Sequence, residues 1–280
     1  KVKAMVDLGV DLLPDLEQDN TDRNRTSAFA FTGNKFEFRA AGSSTSISFP
    51  LACINAVVSD GIQELIKLIE EKGDVMKAIQ EALRISSPIR FEGNNYSDSW
   101  VKEAARRGIP HYPKTSQALT VLTEERTIKL FENLNILSPL ELKSHYRVRL
   151  EQYITNVEIE IQVLNQMVDQ FVLPAAIEER TALCADVAAQ KAVFDPENVD
   201  MRQANVIQEK ITALNHAKER LDEATKKAHA IKDEQERAVF FSLNVAPEMN
   251  AMRSICDSLE LVIADKRWPI PRYREMLFQN

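Results

Sequence analysis

The densest polar stretch of the chain is Asp22-Arg23-Asn24-Arg25-Thr26-Ser27, and Glu37 and Arg39 follow it on alternate positions. Guanidinium forks bind phosphate or carboxylate oxygens two at a time, and a lone carboxylate can hold a hard divalent cation. Three arginines near one glutamate therefore suit an anionic ligand. The same residues also make an Arg–Glu ion-pair network at a strand edge, and residue types alone favour that plainer account. No P-loop, Rossmann glycine pattern, His-Glu-x-x-His or nucleophile elbow is present, and seven glycines leave little for a Gly-rich phosphate loop. His111, His145, His216 and His229 share no ligand spacing. The last two fall on the polar side of a charged helix, where solvated surface is expected.

The elements that must position this cluster are mixed in character. Val2, Met5, Val6, Leu8, Val10, Leu12 and Leu13 give a short amphipathic helical pattern that the chain enters at once, as expected of a start in mid-fold; a polar loop follows over residues 15–24. Two β-like runs, 28–31 and 35–41, flank the turn residues Thr32, Gly33 and Asn34 and predict a hairpin. In the second run Phe36, Phe38 and Ala40 alternate with Lys35, Glu37 and Arg39, which puts the charged positions on one face. From Pro50 the spacing turns helical and ends at Gly73; Asp74 caps a second helix, and a short third one stops at Gly108 and Pro110.

Ser138, Pro139 and Glu141 form a capping box with proline at the first helical position. The helix they start carries Leu150, Ile154, Val157, Ile161, Leu164, Val168 and Phe171 at alternating steps of four and three, and Pro174 should kink or end it. A second helix over about 199–241 repeats by seven through Ile207, Leu214, Leu221 and Ala228, with Ala217, Ala224, Ile231 and Ala238 in a companion track. The two should pack antiparallel, with a third helix over 247–265 completing a bundle.

Forty-two acidic against thirty-five basic residues give a net charge of −7, which argues against a general affinity for nucleic acid or anionic membrane. No run approaches the roughly 20 apolar residues of a bilayer span, so no membrane is expected and cytoplasm is the default. Cys53, Cys184 and Cys256, odd in number and far apart, read as buried structural thiols in a reducing compartment.

The string Asp19-Asn-Thr-Asp-Arg-Asn-Arg-Thr-Ser followed by Phe29-Ala-Phe-Thr-Gly-Asn-Lys-Phe-Glu-Phe-Arg39 resembles the C-terminal catalytic signature of glutamine synthetases in their type III form. Ala41-Gly-Ser-Ser, Asn94-Asn-Tyr-Ser-Asp-Ser-Trp100 and Trp268-Pro-Ile-Pro-Arg-Tyr-Arg-Glu-Met-Leu-Phe278 extend the resemblance over essentially the whole chain. It implies a mainly α, α+β fragment: residues 1–160 as the C-terminal part of the catalytic domain, a short β hairpin plus helices, and 161–280 as an antiparallel helical extension. The activity it implies is ATP-dependent ligation of ammonia to L-glutamate through γ-glutamyl phosphate. Arg25 matches the arginine that contacts the transferring phosphoryl group of ATP, Glu37 a ligand of Mg2+ or Mn2+, and Arg39 the arginine that holds glutamate. Ala30 stands where common synthetases place a further nucleotide arginine, and Glu17 lies in the stretch matching the loop that closes over glutamate. The resemblance also implies a homo-oligomer, a dodecamer of two hexameric rings, with the remaining active-site residues upstream and the fragment inactive by itself. The contrasting expectation is a non-catalytic helical assembly module, favoured for residues 161–280, where no constellation of catalytic type occurs.

Overall fold

The structure, a computed structural model, describes residues 46–89 and 97–277 together with the backbone of four short strands. The strands pair in twos: β1 (Met5–Val6) with β2 (Leu16–Glu17), and β3 (Phe29–Phe31) with β4 (Phe36–Phe38), both antiparallel. The helical pattern expected up to Leu13 thus fails at Met5–Val6, where Val6 lies opposite Leu16 and Met5 opposite Glu17. β-Branched valines stiffen that stretch against helix, and Pro14 removes a donor that a helix would need. The rest of the described chain is mainly helical.

Its contacts divide into two units: residues 1–112 with 130–136, and residues 113–129 with 137–280. Residue 160, where sequence analysis divides the two portions, lies inside an unbroken helix.

In the first unit α1 (Ser48–Lys72) packs on α2 (Val75–Ile85). Gly73 ends α1 in the left-handed region at φ 61°, donating its N–H to the Ile69 carbonyl at 2.9 Å, and the Asp74 carboxylate caps α2 by accepting from the Lys77 N–H at 3.0 Å. α3 (Asp98–Arg106) stops before Gly108, at φ 71°. Among the described residues of this unit only Ala56, Ala78, Ala104 and Phe131 are buried apolar residues, while Leu51, Val58, Ile62, Ile66, Ile79 and Leu83 stay 37–54% exposed. Against the expectation of no bilayer-length run, the 25-residue α1 is long and apolar enough, by length and composition, to cross a membrane. It nevertheless carries Asp60, Glu64 and Lys67, with the Lys67 ammonium 2.7 Å from Glu64.

The second unit begins with α4 (Thr115–Ala118) and a 3-10 turn, Leu119–Thr123, while α5 (Glu125–Asn133) runs across the division between the units. Its body is three long helices. α6 (Pro139–Met167) starts at the predicted capping box: Ser138 Oγ accepts from the Glu141 N–H at 3.3 Å, and the Glu141 carboxylate accepts from the Ser138 N–H at 2.8 Å. It continues through a π-helical turn, Val168–Val172, into α7 (Leu173–Lys191), so Pro174 does not end it. The wide turn just upstream leaves room for the proline ring and its missing donor. α8 (Arg202–Ala230) returns antiparallel. Glu158 meets His229 at 3.0 Å, Asn165 meets Asp222 at 3.5 Å, Asp169 meets Lys218 at 2.5 Å and Arg180 meets Gln208 at 2.8 Å. Each advance along one helix matches the retreat along the other to within a residue, which is the signature of a single antiparallel seam.

Leu150, Val157, Ile207, Leu214 and Leu221 are at most 9% exposed in this seam, and Leu164 packs partly buried against it. The predicted seam shifts at one place: Val172 is 2% exposed while the expected Phe171 is 40% exposed, because the π-turn takes up one extra residue. The second predicted helix also breaks early. Ile231 is extended at the end of α8, and the Asp233 carboxylate caps α9 (Glu234–Phe240) by accepting from the Glu236 N–H at 2.9 Å. The third helix therefore starts at Glu234 instead of Pro247 and runs through a second π-turn, Phe241–Val245, into α10 (Ala246–Glu260). Arg220 to Glu248 at 2.9 Å and Lys210 to Ser258 at 2.8 Å set α8 antiparallel to α10 as well.

Candidate functional site

Arg25 and Arg39, and Glu17 as far as its side chain is concerned, lie outside the described residues; Glu37 is placed by its backbone in β4. The register sets Glu37 opposite Ala30, with Phe29 opposite Phe38 and Phe31 opposite Phe36. Alternation along a strand puts the 30/37 positions on one face of the ladder and the four phenylalanine positions on the other. Ala30 and Glu37 are thus register partners in the ladder.

The block ending at Trp100 begins α3. Its first residues, 94–96, lie outside the described ones, and Ser97 Oγ sits 2.8 Å from Ser99 Oγ. The Arg107 guanidinium lies 5.7 Å from the Trp100 ring centroid, donates to the Pro88 carbonyl at 3.3 Å and pairs with Glu103 at 2.6 Å; Arg106 pairs with the same carboxylate at 2.6 Å. Hydrogen bonds from Arg106 and then Arg107 hold the Glu103 carboxyl down at about 2. This arrangement ties α3 to the 3-10 turn Ser87–Ile89 and carries the marks of a surface link, not of a reaction centre.

At the other end of the sequence the block beginning at Trp268 forms a clasp on the bundle. Glu179 of α7, 7% exposed, accepts from the Ala264 N–H at 3.3 Å and from Arg267 at 2.9 Å. Arg272, 8% exposed, donates to the carbonyls of Glu260 and of Ile263 (2.7 Å), pairs with Asp265 at 2.6 Å, and places its guanidinium 5.8 Å from the Trp268 ring centroid. The N–H of Tyr273, at the start of α11 (Tyr273–Met276), donates to Glu260 at 3.1 Å, and its hydroxyl donates to Asp257 at 3.1 Å. These polar groups are spent on holding the C-terminal segment in place. Sequence reasoning missed the roles of Glu179 and Glu260, and the predicted seven-residue track, which passes through Phe171, gave no signal for either.

His229 is exposed, as expected of solvated helix surface, and its ring lies 3.0 Å from Glu158 and edge-on to buried Phe241, with centroids 6.0 Å apart. His216, exposed, lies 3.3 Å from Glu219. The thiols depart in part from expectation. Cys53 and Cys256 are half-buried, with burial pushing the Cys256 thiol up to about 11, but Cys184 is exposed, and none of the three forms a disulfide. Among the described residues no three His, Cys, Asp or Glu side chains gather as a metal site.

Comparison with known proteins follows the resemblance along the chain. The family described as glutamine synthetase C-terminal domain matches residues 74–191. The type-3 glutamine synthetase of Dictyostelium discoideum is 36% identical over 287 aligned positions, covering 98% of this chain and 39% of that protein. A glutamine synthetase of Bacteroides fragilis (strain YCH46) is 34% identical over 290 positions, covering 99% and 40%, and one of Butyrivibrio fibrisolvens is 29% identical over 273, covering 93% and 38%. The chain thus spans about 40% of the length of the curated relatives it matches. Across both units the chain is thus similar to glutamine synthetases, a type-3 enzyme among them, and the family match runs from α2 through the long bundle helix.

Proposed function

We propose that this chain supplies part of the site of a glutamate–ammonia ligase, which phosphorylates the γ-carboxylate of L-glutamate with ATP and lets ammonia displace the phosphate. The observation that carries this reading is the 36% identity over 98% of the chain, a coverage that takes in residues 22–39 and hence all three candidate site residues. Arg25 faces the phosphoryl group in transit, where positive charge offsets the charge that builds up during transfer. Glu37 would help to hold Mg2+ or Mn2+, which would supply Lewis-acid chemistry to phosphoryl transfer. A carboxylate is the hard oxygen donor such an ion takes, and the register partner of Glu37 across the ladder is Ala30. Arg39 holds the substrate glutamate through its planar fork.

The whole protein assembles as a homo-oligomer, a dodecamer of two hexameric rings, and works in the cytoplasm on small-molecule substrates. The described polar networks of residues 137–280 serve packing, which fits a bundle that shapes the assembly and leaves the chemistry to the other unit. Kinetics on the intact protein test the assignment. Arg39→Lys keeps the charge but loses the fork, and should raise KM for glutamate more than KM for ATP. Arg25→Ala should instead lower kcat by roughly a hundredfold, the scale of one lost transition-state contact. Unchanged kcat in Arg25→Ala together with an unchanged KM for glutamate in Arg39→Lys would overturn it.

A further inference from the structure

The seam of the long helix contains one residue too many. From Leu150 to Val168 the buried positions advance by alternate steps of four and three, and the step after Val168 should be three. It is four, to Val172, after which Ala176, Glu179 and the partly buried Leu183 resume the alternation. The extra residue falls within the π-turn, where the Leu173 N–H bonds to the Val168 carbonyl five residues back. Pro174 stands two residues beyond the turn. The second π-turn has the same grammar: the Ala246 N–H bonds to the Phe241 carbonyl, and Pro247 stands two residues beyond Val245.

We infer that the π-turn at Val168–Val172 is a one-residue register step, held open by Pro174, which keeps Glu179 aimed at the C-terminal clasp. Carried as plain α-helix, the extra residue would rotate everything beyond it by about 100° and swing Glu179 off the seam. Absorbed in a wide turn, it leaves the downstream phase intact, so the Glu179 carboxylate meets the Ala264 N–H and the Arg267 guanidinium. The proline enforces the choice. In an α-helix its ring meets the carbonyl four residues back and its nitrogen has no proton to give, so closing the wide turn is penalised while Pro174 is present.

A cycle of variants in the whole chain tests the coupling. Deleting exposed Gln170 removes the extra residue without changing the downstream phase, but brings Pro174 against a plain α-helical turn; Tm should fall by about 8 °C. Pro174→Ala alone should change Tm little, and the deletion combined with Pro174→Ala should return to within about 2 °C of the parent. Equal losses with and without Pro174, a deletion that is harmless with Pro174 in place, or a combined variant that fails to fold would overturn the inference. The aiming role has its own readout. One alanine inserted between Pro174 and Ala175 has no second step to absorb it, so Glu179 turns away and tryptic cleavage after Arg267 should quicken roughly tenfold with helix content retained. Cleavage unchanged at Arg267, or accelerated equally at every site, would contradict it.

Discussion

The bundle and the helices α1–α2 use the same aliphatic side chains to opposite ends. In the bundle Leu150, Leu214 and Leu221 are at most 1% exposed, and three helices share one continuous apolar seam. In α1 and α2 the equivalent stripe rests on two alanines, Ala56 and Ala78, while Ile62 and Ile66 remain about half exposed. Both carry amphipathic spacing; what differs, among the described residues, is the number of helices each stripe meets. A stripe that finds two neighbouring helices closes into a core, and one that finds a single neighbour leaves a face in solvent. The difference also runs through the polar groups: the described ones of the closed unit are held in packing and clasping, while the residues proposed for chemistry belong to the open one.

The sharpest way to break this comparison is to truncate one branched aliphatic residue on each side. Leu214→Ala should cost about 3 kcal/mol in urea unfolding, through lost burial and the cavity left behind. Ile62→Ala, at a site 54% exposed, should cost less than about 1 kcal/mol. Equal costs would mean that α1 is as tightly packed as the seam. A smaller effect probes the polar link that ties α3 in the open unit. The Glu103 carboxyl is held below its ordinary 4.5, at about 2, by Arg106 and Arg107, so its folded-state pKa is depressed. Its contribution is therefore fully present above pH 4.5 and is lost as pH falls toward 2. The stability difference between the parent and Glu103→Gln should be constant at neutral pH and shrink across that window, which unfolding curves at several pH values would show.

Much of the helical fold was legible in the sequence because local signals and tertiary demands agree at its helix ends and seam. The Ser138–Glu141 box, the Asp74 cap, Gly73 and the leucines of the seam each satisfy a local preference and a packing need together. What the sequence hid were places where two readings differ by one residue. Phe171 and Val172 are both apolar, so spacing could not choose between them until the π-turn decided. The break at Ile231–Asp233 sits in a run of good helix formers, and only the Asp233 cap marks it. The role of Glu179 was hidden because its partners, Ala264 and Arg267, lie more than eighty positions away in sequence. The site was legible in a different way: Arg25, Glu37 and Arg39 stood out by type, but an ion-pair network explained the same types, and family resemblance tipped the balance. The structure adds the register that sets Glu37 across from Ala30.

The ligase chemistry proposed for the open unit is tested most directly at Glu37. Glutamine formation from glutamate, ammonia and ATP should be measured in the intact protein and in Glu37→Gln as Mg2+ or Mn2+ is titrated. The substitution keeps the shape and removes the charge a hard cation needs. Activity should fall by roughly a hundredfold or more at low metal and recover in part only at much higher metal concentration. Near-normal turnover with an unchanged metal requirement would contradict the account, because a carboxylate that merely pairs with arginine at a strand edge has no reason to alter metal dependence.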